Sequence, residues 1–233
     1  MQDTLGNAIF DAIALLLSGD TALWEIIGIS FSVSGTAILV AVCPAMLLGF
    51  FLAFYNFPGR RLLIAVSNTL LSVPAVVVGL TLYLLLSRQG PFGDMRLLFT
   101  QTAMILGQIV LAFPLLVAMS HSAFQAIDRR AWETAITIGQ PVWGALLLMI
   151  REARFALLAA VLAGFGRIIA EVGASMMLGG NILHYTRNIP TAIALETSKG
   201  EFTQGIALGI VLLVLAFTLN ILLHIFQGKG ELS

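Results

Sequence analysis

Four stretches of this chain, residues 26–59, 62–87, 97–127 and 202–228, each run for more than twenty residues without one Asp, Glu, Lys or Arg. A bilayer core about 30 Å thick is crossed by roughly 20 residues of helix. A fifth apolar stretch, 155–178, has the same length but carries Arg167 and Glu171. The pattern predicts an all-α integral membrane protein of about five transmembrane helices. Composition agrees: 59% of the 233 residues are hydrophobic and 10% are charged, against about 25% charged in a soluble domain. The formal net charge is zero, so bulk charge points to no nucleic-acid partner.

Residues 8–17 are apolar but too few to span, and Asp11 interrupts them. The expectation for residues 1–20 is a short interfacial or packed helix, and for residues 21–230 a transmembrane domain with no appended soluble domain and no internal repeat. The start, Met1-Gln2-Asp3, lacks the basic n-region of a cleaved signal peptide. Cys43 is the single cysteine, so no intrachain disulfide forms.

Orientation follows from the cations of the short loops. Arg60, Arg61, Arg129, Arg130, Arg151, Arg154 and Lys229 fall on one side, and Arg88, Arg96, Arg187 and Lys199 on the other. Seven against four predicts that the first set is cytoplasmic. The N-terminus is then outside and the C-terminus inside.

Pro44, Pro74 and Pro114 each interrupt a span. In membrane bundles such prolines persist where neighbours or water satisfy the freed carbonyl; each is read either as a packing kink or as a bend in a pathway-lining helix. Ser30, Ser32, Ser34, Gly35 and Thr36 allow close helix approach. Arg167 and Glu171 are spaced i,i+4, which places them on one helical face. A charge in the bilayer core faces a partner or a wet cavity. Two readings stay open: a self-satisfied ion pair that fixes helix rotation, or a pair that lines or gates a path. Gly173, Ala174 and Ser175 follow and would let helices close beyond it.

His121, His184 and His224 stand far apart, without metal-ligand spacing, and are read as interfacial. The chain has no Gly-x-Ser-x-Gly elbow, no His-Glu-x-x-His and no Gly-x4-Gly-Lys-Ser/Thr phosphate loop. It is therefore expected not to be an enzyme and not to hydrolyse ATP.

The loop 128–154 is the exception to the apolar rule. Asp128 can cap a helix starting at Arg129. Trp132, Ala135, Ile136 and Ile138 give that helix an apolar side, and Gly139-Gln140-Pro141 ends it. A second helix is expected over 142–150. A short helix, a break and a second helix between two spans can pass movement from a docked protein to the membrane.

This stretch resembles the Glu-Ala-Ala-x3-Gly-x9-Ile-x-Leu-Pro loop of ABC importer permeases. Glu133, Ala135 and Gly139 match, and Met149 takes the Ile position; Thr134 replaces the first Ala, and Arg151-Glu152 replaces Leu-Pro. Further stretches are similar to permeases of the molybdate, tungstate and sulfate group: Phe57-Pro58-Gly59-Arg60-Arg61, Pro74-Ala75-Val76-Val77-Val78-Gly79, Gly90-Pro91-Phe92-Gly93, and Arg167-Ile168-Ile169-Ala170-Glu171-Val172-Gly173-Ala174 followed by Gly179-Gly180-Asn181. Arg151-Glu152-Ala153-Arg154 and Glu196-Thr197-Ser198-Lys199-Gly200-Glu201-Phe202 look most like the tungstate-uptake branch.

The resemblance implies a type I ABC importer permease fold and a function in moving an oxyanion into the cytoplasm: tungstate first, molybdate or sulfate otherwise. It implies a prokaryotic cytoplasmic membrane, a homodimer of this subunit among lipid, two cytoplasmic ATPase subunits and an external oxyanion-binding protein. No cofactor is expected on this chain, with ATP and Mg on the ATPase. The ATPase-coupling residues would be Arg130, Trp132, Glu133, Thr134, Ala135, Gly139 and Pro141. Pro74, Arg167, Glu171, Gly173 and Ser175 would line or gate the path. Two rivals differ in class. A secondary transporter coupling flux through Glu171 would show inverted repeats and more spans. An intramembrane enzyme would need convergent catalytic residues.

Overall fold

The computed structural model describes Phe10 and residues 12–230, and every regular element among them is helical. Part of the expected N-terminal helix, residues 8, 9 and 11, lies outside the described residues. Residues 12–17 are helical (α1). There follow α2 (Thr21–Phe54), α3 (Arg60–Leu70), α4 (Ala75–Leu86), a 3-10 turn (Gly93–Met95), α5 (Gln101–Gln125), α6 (Arg129–Thr137), α7 (Val142–Glu152), α8 (Arg154–Ile169), α9 (Gly173–Gly179), α10 (Ile189–Lys199) and α11 (Phe202–Gly230).

Three helices are long and apolar enough to cross a membrane: Thr21–Phe54, Gln101–Gln125 and Phe202–Leu222. Two further spans are each broken. Arg60–Leu70 and Ala75–Leu86 meet at 102°, and Arg154–Ile169 and Gly173–Gly179 meet at 62°. Among the described residues, three of the five expected spans are single helices, and the count reaches five when each bent pair is taken as one span. Pro74 explains the first bend. It fixes its own φ at −63°, supplies no amide proton and opens α4 as the N-cap. Its ring also drives the preceding residue out of the helical region. Pro44 and Pro114, by contrast, lie inside continuous helices.

The chain forms two compact units. One draws on the described residues of Met1–Ala37, Pro74–Gln108 and Gly166–Thr218. Its core joins Ala12 of α1 with Leu23, Ile26 and Ile27 of α2, Ile189 and Ala192 of α10, and Ala207 and Leu208 of α11. The N-terminal helix is thus packed, not only interfacial, although Leu17 remains exposed. The other unit draws on the described residues of Ile38–Val73, Ile109–Phe165 and Leu219–Ser233. Its core gathers Phe50 and Phe54 of α2, Phe124 of α5, Leu146 and Met149 of α7, and Leu157 of α8. Helix α11 leaves Leu213, Val214, Phe217 and Ile221 exposed, the inverse of a soluble helix and the pattern a lipid-facing one requires.

The segment that carries the loop cations Arg187 and Lys199 is partly helical, with α10 running from Ile189 to Lys199. Asn188 caps α10: its side chain accepts from the Thr191 amide, and Thr191 Oγ1 accepts from the Asn188 amide. Ile189 and Ala192 are buried beneath it. The helix escapes a hydropathy reading because it is only eleven residues long.

Candidate functional site

The helix of the 128–154 loop forms as its residues dictate. Asp128 is the N-cap of α6 and its Oδ1 accepts from the Arg130 amide at 2.9 Å, satisfying one of the orphan N–H groups of the first turn. Gly139 takes φ +83°, the left-handed conformation that reverses the chain after the helix, and Pro141 is the N-cap of α7. The second helix runs to Glu152, two residues beyond expectation.

One side of α6 is seated in aromatic rings. Trp132 stacks on Phe54 with centroids 5.0 Å apart and meets Phe50 edge-on at 5.3 Å. Tyr55 closes the group at 5.9 Å from Trp132. Ala135 is buried. Trp132 thereby ties α6 to the end of α2. The other side is bare: Arg130, Glu133 and Thr134 are exposed, as are Ile136 and Ile138, two residues expected on the apolar side. Ile138, 72% exposed, stands next to Gly139, where the chain has already left the helix. Glu133 pairs with Arg129 at 3.2 Å on this surface. Ala135 and Ile138 also line an open recess of about 330 Å³ with Gln140, Gly144, Leu147 and Arg151.

Arg60 lies in the same unit, in the stretch 57–61 that carries part of the resemblance, but its contacts carried no sequence signal. Its Nε donates to the Leu52 carbonyl at 2.6 Å and its Nη1 to Asn56 Oδ1 at 3.2 Å. Arg60 thus satisfies an orphan carbonyl at the end of α2. His121, expected at an interface, is buried in α5.

The second group of candidates lies in the other unit, where the elements after the two bends pack side by side. Gly79 of α4 approaches α9 so closely that a Cβ there would stand 2.9 Å from Ala174 Cα. A Cβ on Gly173 would stand 2.7 Å from Val76 Cγ2. The helices that follow Pro74 and Glu171 are therefore in contact. Ser175 is buried on α9, and its Oγ has no hydrogen-bond partner among the described residues.

Arg167 and Glu171 do not share a helical face. Helix α8 ends at Ile169, and Glu171 lies in the bend. Its Oε1 accepts from the Gly173 amide at 2.9 Å and the Ala174 amide at 3.4 Å, at the start of α9. No ion pair joins the two residues among those described, and Arg167 is exposed in the last turn of α8. The i,i+4 rule failed because it presumes an unbroken helix. The Ile168 carbonyl, freed at the bend, accepts from Gln108 Nε2 at 3.3 Å and from the Glu171 amide at 3.2 Å.

Three contacts of this unit escaped the sequence reading. Ser30, read as a packing residue, accepts from the Ile189 amide at 2.7 Å through its Oγ. His184 Nδ1 and Glu25 Oε2 meet at hydrogen-bond distance, joining α2 to the loop after α9. Glu196, 3% exposed, accepts from Lys199 Nζ at 3.1 Å.

Residues 45–229 match the family described as binding-protein-dependent transport system inner membrane component. The chain is 41% identical over 222 residues to the tungstate uptake system permease protein of Campylobacter jejuni, covering 95% of this chain and 93% of that protein. It is 40% identical over 218 residues to the protein of the same name from Peptoclostridium acidaminophilum, covering 94% and 96%. Its fold is similar to a chain of a bacterial ABC transporter involved in the import of the acidic polysaccharide alginate, with a TM-score of 0.72, 18% identity and coverage of 99% and 88%. Three long apolar helices, two bent helix pairs and a capped helix accord with that match, and the chain belongs to the binding-protein-dependent transport system inner membrane component family.

Proposed function

We propose that this chain is the membrane permease of an ATP-driven importer that carries tungstate into the cytoplasm. The observation that carries the cargo is the 41% identity to a tungstate uptake permease across 95% of the chain. Two copies would enclose the path, two cytoplasmic ATPase subunits would drive it, and an external oxyanion-binding protein would deliver the ion. The N-terminus would be outside and the C-terminus cytoplasmic, as the loop cations favour.

In this reading α6 is the coupling helix. Its bare face, with Arg130, Glu133, Thr134 and Ile138, would enter a cleft of the ATPase. Trp132 and Ala135 would turn that contact into a pull on α2, because an interlocked aromatic cluster moves as a body. Gly139 and Pro141 set the angle at which α7 leaves. ATP and Mg belong to the ATPase; this chain supplies contact and leverage.

Pro74, Glu171, Gly173 and Ser175 sit at or beside the bends of the two broken spans and are the residues proposed to shape the gate. Glu171 would do so by holding α9 rather than by meeting the cargo, since its Oε1 already takes two amides. Arg167 is exposed and free of carboxylate partners among the described residues, which suits a residue that meets a dianion.

The test is tungsten accumulation in cells that lack their own tungstate importer and carry this chain with its ATPase and binding protein. Uptake should fall when tungstate is diluted with unlabelled tungstate and hold against excess sulfate. Accumulation equal to that of cells without the chain would reject the cargo.

A further inference from the structure

We infer that the loop between α4 and α5 binds the tetrahedral oxyanion head of a phospholipid, held by Arg88 and Arg96 in one recess. The recess has a volume of about 730 Å³ and opens beside the end of α4. Arg88, Arg96, Ser87 and Tyr83 give it a polar half, and Leu84, Leu98 and Phe99 give it an apolar one. Both arginines are exposed, and neither forms an ion pair among the described residues. Two guanidiniums on one concave surface can share one anion between them. Guanidinium forks match the oxygens of a tetrahedral oxyanion.

Hydrogen bonds fix the backbone of the loop that carries the two arginines. The Gly90 amide donates to the Ser87 carbonyl at 2.7 Å, the Phe92 amide to Leu85 at 3.0 Å and the Arg96 amide to Gly93 at 3.1 Å. A Cβ on Gly90 would stand 2.2 Å from the Leu84 carbonyl oxygen, so no larger residue fits this turn. Arg96 itself adopts φ +50°, a left-handed conformation costly for a residue with a Cβ. Such strain, kept at a charged residue in a rigid loop, fits a site that must present its side chain.

A phosphate diester and a free oxyanion such as tungstate share this chemistry. The lipid source is favoured by the apolar half and by position. Leu84, Phe92 and Met95 are exposed around the arginines, at the point where a spanning helix ends. That is where headgroup phosphates lie, and where arginines and tyrosines anchor a membrane protein. Asp94 lines a smaller neighbouring recess of about 440 Å³ with the same two arginines and opposes any anion there. The inference needs only a membrane protein; the proposed transport function decides no more than which leaflet supplies the lipid.

The test is native mass spectrometry of the purified, detergent-extracted transporter complex titrated with phosphatidylglycerol, with sodium tungstate as a separate arm. Arg88→Gln/Arg96→Asn, in which Asn tolerates the left-handed backbone, should weaken lipid retention about tenfold, the equivalent of one charge-assisted hydrogen bond. Asp94→Asn should tighten it several-fold, a gain that misfolding does not produce. Retention unchanged in both variants overturns the site, and if the double variant fails to assemble, unchanged or weaker retention in Asp94→Asn alone overturns it. Displacement of the lipid by tungstate, lost in the double variant, assigns the recess to the free ion and overturns the lipid source. None of these readings depends on transport, so they stand apart from the outcome of the uptake test.

Discussion

Glu171 Oε1 accepts a hydrogen bond from the Gly173 amide at 2.9 Å, and so holds the start of α9 against the bend that precedes it. The carboxylate meets the positive end of a short helix and two of its unpaired amides. Glu171 and Arg167 are therefore energetically separate, and the two should answer mutation differently.

Glu171→Ala should lower the stability of the purified complex by about 1 kcal/mol, the ordinary loss of a cap. Glu171→Gln keeps an acceptor and should lose less. Arg167→Gln should leave thermal unfolding in detergent unchanged and reduce uptake. In a double-mutant cycle on stability, the coupling between the two sites should lie within about 0.5 kcal/mol of zero. A coupling of several kcal/mol would restore the ion pair that the bend denies.

Gly79 and Ala174 set the closest approach of α4 to α9. Gly79→Val drives a branched side chain into backbone and should cost about 1–3 kcal/mol as overpacking. Measured by thermal unfolding, Gly28→Val should be milder in its packing, because nothing lies within 4 Å of a Cβ there.

Lys199 partners a carboxylate that is buried while the lysine itself is half exposed. Lys199→Ala strands Glu196 in low dielectric and should cost about 3 kcal/mol. Lys199→Ala/Glu196→Gln removes the stranded charge and should recover most of that loss in the same unfolding assay. A double variant less stable than Lys199→Ala would contradict the burial of Glu196.

Gly139 tests the coupling loop by conformation alone. Its Cβ position is open, so only the backbone at φ +83° opposes substitution. Gly139→Ala should cost about 1–2 kcal/mol locally and reduce uptake and ATPase stimulation, while Gly139→Asn, which tolerates this region, should retain more of both. Trp132→Ala should assemble with the ATPase but fail to stimulate it, because α6 then loses its hold on Phe50 and Phe54; Trp132→Phe should recover part. Equal activity in Gly139→Ala, Gly139→Asn and wild type would remove the loop from coupling.

The apolar runs made the five crossings legible, because bilayer thickness imposes their length. Asp128, Gly139 and Pro141 made α6 legible, because a cap, a left-handed residue and a helix starter act locally. Pro74 announced an interruption, but the close approach of Gly79 to Ala174, far along the chain, was not announced. The bend at Glu171 has no proline. It rests on Glu171 capping α9 and on Gln108 taking up the Ile168 carbonyl, neither of which periodicity records. Arg60, Ser30 and Glu196 were opaque for the same reason: each acts through a backbone or side-chain partner that only folding supplies.

The most direct measurement is tungstate uptake into proteoliposomes that contain this chain and its ATPase, with the binding protein outside and ATP inside. Uptake should require ATP and the binding protein together, and it should persist when the proton and sodium gradients are collapsed. Uptake driven by an ion gradient in the absence of ATP would contradict the account.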